Sequence, residues 1–414
     1  MSGTTVGQII SLGIYLILSR LYTPEDFGVF ALYMSILSIT NITATGKYEL
    51  AVMMPREDRE GLNLLGLSAV ISVCVSLFLL ILVLLLNPAF TKLLGNADIS
   101  PWLYLIPLST LLNGLYQGLN YWSNRKKRFR TMTVASLGQS LTNSTVKVGG
   151  GYLFAGPVGL IAGSVLGQIT GFVTFLLNFR KHDRGKLPEI NPKDMRYLAR
   201  EYYRFPKYNM LHGITNNFSG SLPIFILTSW FSSATAGFYS FGFTMIFRPM
   251  TLVTTAFSQV FSQRVITKEN VGEPILSDVK RLLVKMFQFS FIPVLIVAIF
   301  APRIFTFVFG PEWETAGTYT QILIPWLYVV FLSAPFAFLP DLFKVQGKAF
   351  VFDLVKLSVR IIAMAAGVYS GDVLLTLIYF STGSMLVTAF QLGWFYSLAR
   401  KADRRKKTKI EKEA

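Results

Sequence analysis

Three charged residues interrupt an apolar stretch of the sequence, FDLVKLSVRIIAM, at positions 352–364. Asp353, Lys356 and Arg360 lie three and four positions apart, so they share one face of an α-helix. A charge at the centre of a bilayer costs about 2.5–3.5 kcal/mol on insertion scales, and such residues therefore face a partner or a watery cavity. The pattern raises the question of which negative group compensates the two cations.

Two further cations, Lys147 and Arg248, also fall within apolar segments. One interpretation is a cationic cavity in which Arg248, Arg360, Lys356 and Lys147 bind an anionic substrate. Phosphate and carboxylate groups suit such a cavity, because Arg offers a bidentate fork and Lys a point charge. A polar run at 212–221, HGITNNFSGS, adds hydrogen-bonding groups of the kind that sugars need.

The alternative interpretation is internal pairing, because a few acids lie close to these segments. Asp353 is on the same helical face as Lys356, and Glu49 lies beside Lys47. Each acid has two candidate roles, the transfer of coupling protons or an ion pair with a nearby cation. Long cationic side chains can also extend to the membrane interface.

Chemistry other than binding finds little support in the sequence. There is no G-x-x-x-x-G-K-[ST] segment to cradle phosphates. Two histidines and one cysteine argue against a metal site. We therefore predict no catalytic residues, no cofactor and no metal, and a protein that is not an enzyme.

The composition indicates a membrane protein. Only 15% of the 414 residues are charged, against about 25% in soluble domains, and 52% are hydrophobic. Runs of the length that crosses a bilayer as a helix, about 20 residues, occur at 4–22, 27–46, 62–86, 101–122, 131–153, 156–178, 208–230, 234–258, 286–309, 316–339, 349–369 and 373–398. The predicted fold class is an all-α membrane protein with about twelve transmembrane helices.

The distribution of basic residues predicts the orientation. Of the 39 Lys and Arg residues, 32 lie after even-numbered spans or in the C-terminal tail, and three lie on the opposite side. This bias places both termini in the cytoplasm. It also accounts for the net charge of +17 without a nucleic-acid partner.

A weak internal repeat divides the chain into halves. DFGVFAL at 26–32 and AGFYSF at 236–241 align when Gly28 is paired with Gly237, an offset of 209 residues. Both stretches open an even-numbered span, which predicts two six-helix bundles related by a parallel pseudo-two-fold axis. The predicted domains are the bundles 1–179 and 208–399, a cytoplasmic amphipathic linker, 180–207, and a basic cytoplasmic tail, 400–414.

The linker contains a predicted helix that starts at Asn191-Pro192. Its apolar residues are Met195, Leu198, Tyr202 and Phe205, and its basic stripe is Lys193, Arg196, Arg200, Arg204 and Lys207. We expect the helix to lie on the cytoplasmic surface, steadied by anionic membrane lipid, with recruitment of a partner enzyme as the alternative. In the sixth span, glycines at 159, 163, 167 and 171 predict close helix packing, with a sliding surface as the alternative.

Three segments resemble the bacterial polysaccharide biosynthesis flippases. They are SRLYTPEDFGVFAL at 19–32, TGKYELAVMMP at 45–55 and YRFPKY at 203–208. These flippases are lipid-linked oligosaccharide exporters of the multidrug/oligosaccharidyl-lipid/polysaccharide (MOP) superfamily. The resemblance implies two bundles in a V around a central cavity that opens alternately to each side of the bacterial inner membrane. It implies an undecaprenyl-pyrophosphate-linked oligosaccharide as cargo for O-antigen, capsule or exopolysaccharide. It also implies polysaccharide polymerase and chain-length proteins as partners.

Three alternatives remain open. A multidrug cation exporter of the same superfamily would carry more buried acid than buried cation, the reverse of this sequence. A peptidoglycan-precursor flippase would share the cavity chemistry. A membrane polysaccharide polymerase, an enzyme, would need large external loops, whereas the longest here, at 87–100, has about 14 residues.

Overall fold

The computed structural model describes residues 13–413, with side chains up to residue 406, and every regular element in that part of the chain is helical. The all-α prediction is therefore confirmed for the described residues. The helices are α1 (13–21), α2 (Pro24–Thr43), α3 (Asp58–Leu93), α4 (Ile106–Arg125), α5 (Phe129–Leu153), α6 (Val158–Asp183), α7 (Pro192–Glu201), α8 (Leu211–Trp230), α9 (Ser233–Asn270), α10 (Leu276–Phe309), α11 (Glu314–Ser333), α12 (Gln346–Ser370) and α13 (Val373–Glu413). Short helical turns connect several of them. The predicted first span, 4–22, lies partly outside the described residues.

Helices occur at the eleven predicted spans from 27–46 onward and at the described part of the first, but several are longer than predicted. The helices α3, α9, α10 and α13 have 36, 38, 34 and 41 residues, whereas about 20 residues cross the hydrocarbon. Among the described helices, six segments are long and apolar enough to cross a membrane by length and composition alone: Pro24–Thr43, Asp58–Leu93, Val158–Glu189, Leu276–Phe309, Pro311–Leu342 and Val373–Lys406. The other predicted spans that lie wholly within the described residues are helical and more polar.

The chain divides into two compact units, Met1–Gly237 and Phe238–Ala414. The first unit contains α1–α8 and the first residues of α9. Its core includes the buried side chains of Tyr33, Trp122 and Phe175. The second unit contains the rest of α9 and α10–α13. The domain boundaries predicted from the repeat stay a prediction.

The start of α2 is set by local sequence. Thr23 is the N-cap residue, and its hydroxyl accepts a hydrogen bond from the backbone N–H of Asp26 at 3.3 Å. The carboxylate of Asp26 accepts in return from the backbone N–H of Thr23 at 2.9 Å, and Pro24 occupies the first turn. This capping box satisfies two of the donors that a helix start leaves without partners.

The two glycines paired by the repeat meet where the start of α2 approaches residues 233–237, within the first unit. A Cβ added at Gly28 would lie 1.9 Å from the carbonyl oxygen of Ser233. A Cβ added at Gly237 would lie 1.8 Å from the carbonyl oxygen of Pro24. The offset of 209 residues that pairs Gly28 with Gly237 also pairs Pro24 with Ser233, so the contacts are reciprocal. Reciprocal contacts are expected where a two-fold relation connects two segments.

The linker helix α7 packs against the protein through its apolar side. Leu198 is 2% exposed and joins the cluster around Trp122 and Phe175. The hydroxyl of Tyr48 donates to the carbonyl oxygen of Ala199 at 2.9 Å, and burial raises the pKa of this hydroxyl. The basic stripe remains exposed on the other side. The predicted amphipathic helix is present, and its apolar side is covered by the first unit.

An aromatic cluster forms part of the core of the second unit. The ring of Phe241 stacks on Trp313 with their centroids 3.9 Å apart, and Phe309 meets Phe241 edge-on at 5.0 Å. A second cluster includes Phe261 and Phe336, together with residues of the C-terminal helix α13. Aromatic side chains bury large apolar areas, which stabilises the packing of α9, α10 and the turn before α11.

The C-terminal helix α13 docks on the loop between α9 and α10. Both carboxylate oxygens of Asp403 accept hydrogen bonds at 2.9 Å, from the backbone N–H groups of Ile275 and Leu276. Lys406 donates to Glu269 and to the carbonyl oxygen of residue 273, each at 2.6 Å. Ile275 has no polar side chain to cap α10 itself. The predicted tail therefore continues the last helix and caps the start of α10.

Candidate functional site

Arg360 is buried near the middle of α12 and is held by aromatic rings. Its side chain is 7% exposed, and its guanidinium carbon lies 5.1 Å from the ring centroid of Trp326 and 5.4 Å from that of Phe380. Its Nε donates to the hydroxyl of Ser384 at 3.1 Å. Aromatic faces attract a guanidinium, and the attraction grows when water is excluded. The second unit thus accommodates a full positive charge deep within its helices.

Lys356 lies one turn before Arg360 and is engaged in an ion pair. Its ammonium is 3.6 Å from the carboxylate of Asp353, and it donates to the amide oxygen of Gln391 at 3.2 Å. The alternative interpretation of the sequence, internal pairing, predicted this ion pair between two residues of one helix. The pair compensates the charge of Lys356, while its role in substrate binding stays a prediction.

Lys147 is buried in the first unit, between α2 and α6. It is 8% exposed, and its ammonium lies 4.4 Å from the ring centroid of Phe30. The hydroxyl of Tyr22 donates to the backbone carbonyl of Lys147 at 2.6 Å. The lysine thus resembles Arg360 in being a buried cation on an aromatic face. Both are deep in their own units.

The glycine strip of α6 brings that helix close to α5. A Cβ at Gly163 would lie 2.6 Å from the side chain of Lys147 and 2.8 Å from the backbone oxygen of Asn143. A Cβ at Gly167 would lie 2.9 Å from the backbone oxygen of Gln139. The predicted close packing is therefore observed, and it positions Lys147.

Arg248 differs from the other predicted cations because its side chain is exposed. It lies in α9 directly before Pro249, and its backbone oxygen accepts a hydrogen bond from the hydroxyl of Thr251 at 2.8 Å. His212, in the polar run of α8, is also exposed. The substrate-binding role of Arg248 stays a prediction.

Glu49 and Lys47 lie at a polar cavity of about 230 Å³ in the first unit. Glu49 is 4% exposed, accepts a hydrogen bond from the hydroxyl of Thr45, and lies 3.8 Å from the ammonium of Lys47. The ion pair expected between these residues is present. Gly46 and Lys47 both have positive φ, 58° and 62°, and this tight turn brings the carboxylate to the cavity.

The remaining polar groups of this cavity come mainly from α4, and the sequence analysis missed them. Asn113, Gln117 and Tyr121 line it, together with Asn41 from α2. The three α4 residues are spaced by four, which aligns them on one helical face. That spacing within an apolar span is a signal that could have found them.

The basic loop after α4 also forms a structural cluster. Asp58, at the start of α3, pairs with Arg125 at 3.2 Å, with Lys186 at 3.5 Å, and with Lys126. Arg125 additionally donates to the carbonyl oxygen of Pro55 at 2.8 Å. These basic residues therefore stabilise the connections between helices, and the orientation that their distribution predicts stays a prediction.

Comparison with solved structures shows the fold. The chain is similar to an inward-facing multidrug resistance MATE family transporter of the MOP superfamily, with a TM-score of 0.72, 14% identity and 96% of each chain covered. It is similar to the lipid II flippase MurJ in an inward closed conformation, with a TM-score of 0.69 and 12% identity over 98% of this chain and 89% of that one. A MOP superfamily transporter from Pyrococcus furiosus gives a TM-score of 0.58 and 14% identity over 97% of this chain and 93% of that one. No curated protein matches the chain.

These likenesses show that the chain has the helical fold of MOP transporters, and its long apolar helices support a multi-pass membrane protein. The family is shown by the sequence itself. The model of a family described as "Polysaccharide biosynthesis protein" matches residues 17–317, more than half of the chain. The matched region contains all three of the resembling segments in full. It also contains all of the first unit, which ends at Gly237, except Met1–Leu16. The chain therefore belongs to the polysaccharide biosynthesis protein family.

Proposed function

We propose that the chain is a flippase for an undecaprenyl-pyrophosphate-linked oligosaccharide. It would carry the pyrophosphate and sugars from the inner to the outer leaflet of the bacterial cytoplasmic membrane by alternating access. The lipid tail would remain in the bilayer. The product would be a repeat unit of O-antigen, capsule or exopolysaccharide, and a polymerase and chain-length proteins would use it next. Both termini would lie in the cytoplasm.

Family membership and the fold support transport, and the observation that carries the choice of cargo is the setting of Arg360. It lies about 21 Å along α12 from Gln346 and about 15 Å from Ser370, at a rise of about 1.5 Å per residue, so it is remote from both helix ends. A permanent charge at this depth is costly unless it has a function or a partner. A pyrophosphate is doubly suited to it, because it is strongly anionic and matches the guanidinium fork.

The aromatic contacts of Arg360 explain how a binding site of this kind can be stable without cargo. Trp326 and Phe380 offer their ring faces in place of water, while Ser384 takes up one donor. An approaching phosphate would meet a desolvated charge in a medium where electrostatic attraction is strong. Lys147 offers a comparable setting in the first unit, and Lys356 is partly neutralised by Asp353.

Two other transport functions and one enzymatic function compete with this proposal. The likeness to the lipid II flippase favours a peptidoglycan precursor as cargo, whose pyrophosphate would use the same cations. The likeness to the MATE transporter favours a drug exporter, but cationic drugs would be repelled by buried Arg360 and Lys147. A polysaccharide polymerase would act on the same lipid-linked units after their transfer.

The proposal is tested by deleting the gene and identifying the lipid-linked sugar that accumulates. Accumulation of an undecaprenyl-pyrophosphate oligosaccharide on the inner leaflet is the expected result. Accumulation of lipid II would indicate a peptidoglycan flippase, and unpolymerised units on the outer leaflet would indicate a polymerase. Drug sensitivity without any lipid-linked intermediate would indicate an exporter. Restoration by the plasmid-borne gene completes the test.

We also propose that the basic stripe of the linker binds anionic phospholipid of the inner leaflet. Lys193, Arg196, Arg200, Arg204 and Lys207 are all exposed. Exposed tyrosines at positions 197, 203 and 208 lie among them. Tyrosine favours the membrane interface, and each basic residue near an anionic surface adds about 1 kcal/mol of attraction. Because the apolar side of α7 is covered by protein, the attraction would be mainly electrostatic.

A further inference from the structure

One residue that lines the polar cavity beside Glu49 has a side-chain oxygen without a hydrogen-bond partner among the described residues. The side-chain oxygen of Asn41 is buried, and no donor within the described residues reaches it. Asn41 lines the cavity together with Asn113, Gln117 and Tyr121. Leaving a buried acceptor unpaired costs about 1–3 kcal/mol. The cavity is therefore suited to a molecule that carries hydrogen-bond donors.

The charges around the cavity favour a neutral molecule. Glu49 and Lys47 both line it, and their 3.8 Å contact compensates the two charges. Glu49 also receives the hydroxyl of Thr45. What remains are the amide groups of Asn41, Asn113 and Gln117, each with donor and acceptor atoms. Such a lining discriminates in favour of hydroxyl groups and against a phosphate.

The size of the cavity and its aromatic residue further limit which neutral molecule it could bind. The cavity has a volume of about 230 Å³, which is well above the roughly 10–15 Å³ that one water molecule needs. It is smaller than the roughly 300–1,000 Å³ of pockets for drug-sized ligands. Tyr121 provides a ring and a hydroxyl at the lining. A pyranose ring, with hydroxyl groups at its edge and an apolar C–H face for an aromatic ring, fits both features.

We propose that this cavity of the first unit binds a single neutral sugar ring of the transported oligosaccharide. Asn41 and Gln117 would hydrogen-bond its hydroxyl groups, and Tyr121 would pack on its face. The inference rests on the proposed function for the origin of the sugar. It assigns the sugar and the pyrophosphate to different groups of residues, since the buried cations lie outside the lining of this cavity.

Binding is tested on the purified full-length protein in lipid nanodiscs by saturation-transfer NMR. The probes are glucose, galactose, rhamnose and N-acetylglucosamine at millimolar concentration. We expect saturation transfer to at least one of them, reduced about five-fold in Asn41→Leu and Gln117→Leu because each loses hydrogen bonds. The matched control, Asn120→Leu, makes the same change on α4 at a residue that does not line the cavity, and it should bind as the wild type. Tyr121→Leu, which removes the ring that would pack on the sugar, serves if the Asn41 or Gln117 variant folds poorly, and it should also reduce the transfer.

The result that overturns the inference is the absence of transfer from every sugar, or equal transfer in the cavity variants and in Asn120→Leu. Translocation of the lipid-linked oligosaccharide by the same variants separates this failure from failure of the proposed function. If the wild type moves no lipid-linked oligosaccharide, the proposed function fails, whatever the NMR result. If Gln117→Leu moves it as fast as Asn120→Leu does, only the sugar site fails.

Discussion

The reciprocal contact of Gly28 and Gly237 leads to a quantitative expectation. Alanine at either position would place its Cβ less than 2 Å from a carbonyl oxygen of the facing segment. Those oxygens belong to backbone, which cannot rotate away as a side chain can. The two helix starts would have to separate, and the symmetry of the contact predicts that both substitutions have similar costs.

The magnitude follows from two opposing effects. Overpacking of a tight contact typically costs about 1–3 kcal/mol, and occasionally more. Replacing glycine by alanine within a helix recovers about 1 kcal/mol of helix propensity. The control is Gly220→Ala on α8, where an added Cβ meets nothing within 4 Å. Gly28→Ala and Gly237→Ala should therefore each be about 1–3 kcal/mol less stable than Gly220→Ala.

Thermal unfolding of the purified protein in detergent measures these differences. At roughly 2–4 °C per kcal/mol for a unit of this size, Gly28→Ala and Gly237→Ala should each unfold several degrees below Gly220→Ala. The double variant should lose less than the sum of the two, since one separation of the helix starts relieves both clashes. The reciprocal contact would be refuted if Gly28→Ala or Gly237→Ala unfolded at the same temperature as Gly220→Ala.

Three further expectations follow. Asp403→Asn should lower the free energy of unfolding by about 1–2 kcal/mol, because it removes the charge that caps α10, and thermal unfolding measures it. Asp353→Asn should destabilise the protein more than Asp353→Asn combined with Lys356→Gln, since the single change removes an acid from a partly buried cation; equal unfolding temperatures would contradict the pair. Arg196→Gln with Arg200→Gln should reduce the anionic phospholipid that copurifies, and quantitative lipid analysis at low and high salt measures it.

The Asp403 prediction and the linker prediction each have a matched control variant. Glu312→Gln removes an exposed carboxylate from a turn in the same unit and should leave the unfolding temperature unchanged; if Asp403→Asn behaves like it, the cap contributes nothing. Arg303→Gln removes an exposed arginine from the side with few basic residues. Equal lipid loss in Arg303→Gln and in the linker variant would contradict binding at the stripe.

Much of the helical architecture was accessible from the sequence, because it rests on local patterns. Apolar runs marked the helices, and the three-residue spacing of Asp353 and Lys356 marked their ion pair. The repeat glycines and the strip on α6 were recognisable because only glycine allows such close approach. The true helix lengths could not be predicted from the sequence, because hydropathy marks only the apolar part of a helix. Residues such as Lys and Glu continue α9 and α13 beyond it, as good helix formers do.

The surroundings of the buried cations and the polar cavity depended on tertiary structure. The rings over Arg360 belong to Trp326 and Phe380, on two other helices, and no spacing in the sequence connects them. The cavity likewise joins α4 to the turn that carries Glu49. The apolar face of α7 was recognised, but its pattern does not distinguish a membrane surface from a protein surface.

If buried Arg360 binds the anionic head group of the cargo, substitution of Arg360 should slow transport. The measurement is translocation of the lipid-linked oligosaccharide in proteoliposomes, with Arg303→Ala as the control. We expect Arg360→Ala to lose about 10- to 100-fold in rate, as removal of charge-assisted hydrogen bonds would produce, and Arg360→Lys to retain an intermediate rate. A wild-type rate in a protein that carries both Arg360→Ala and Arg248→Ala would show that neither cation is needed to bind the cargo.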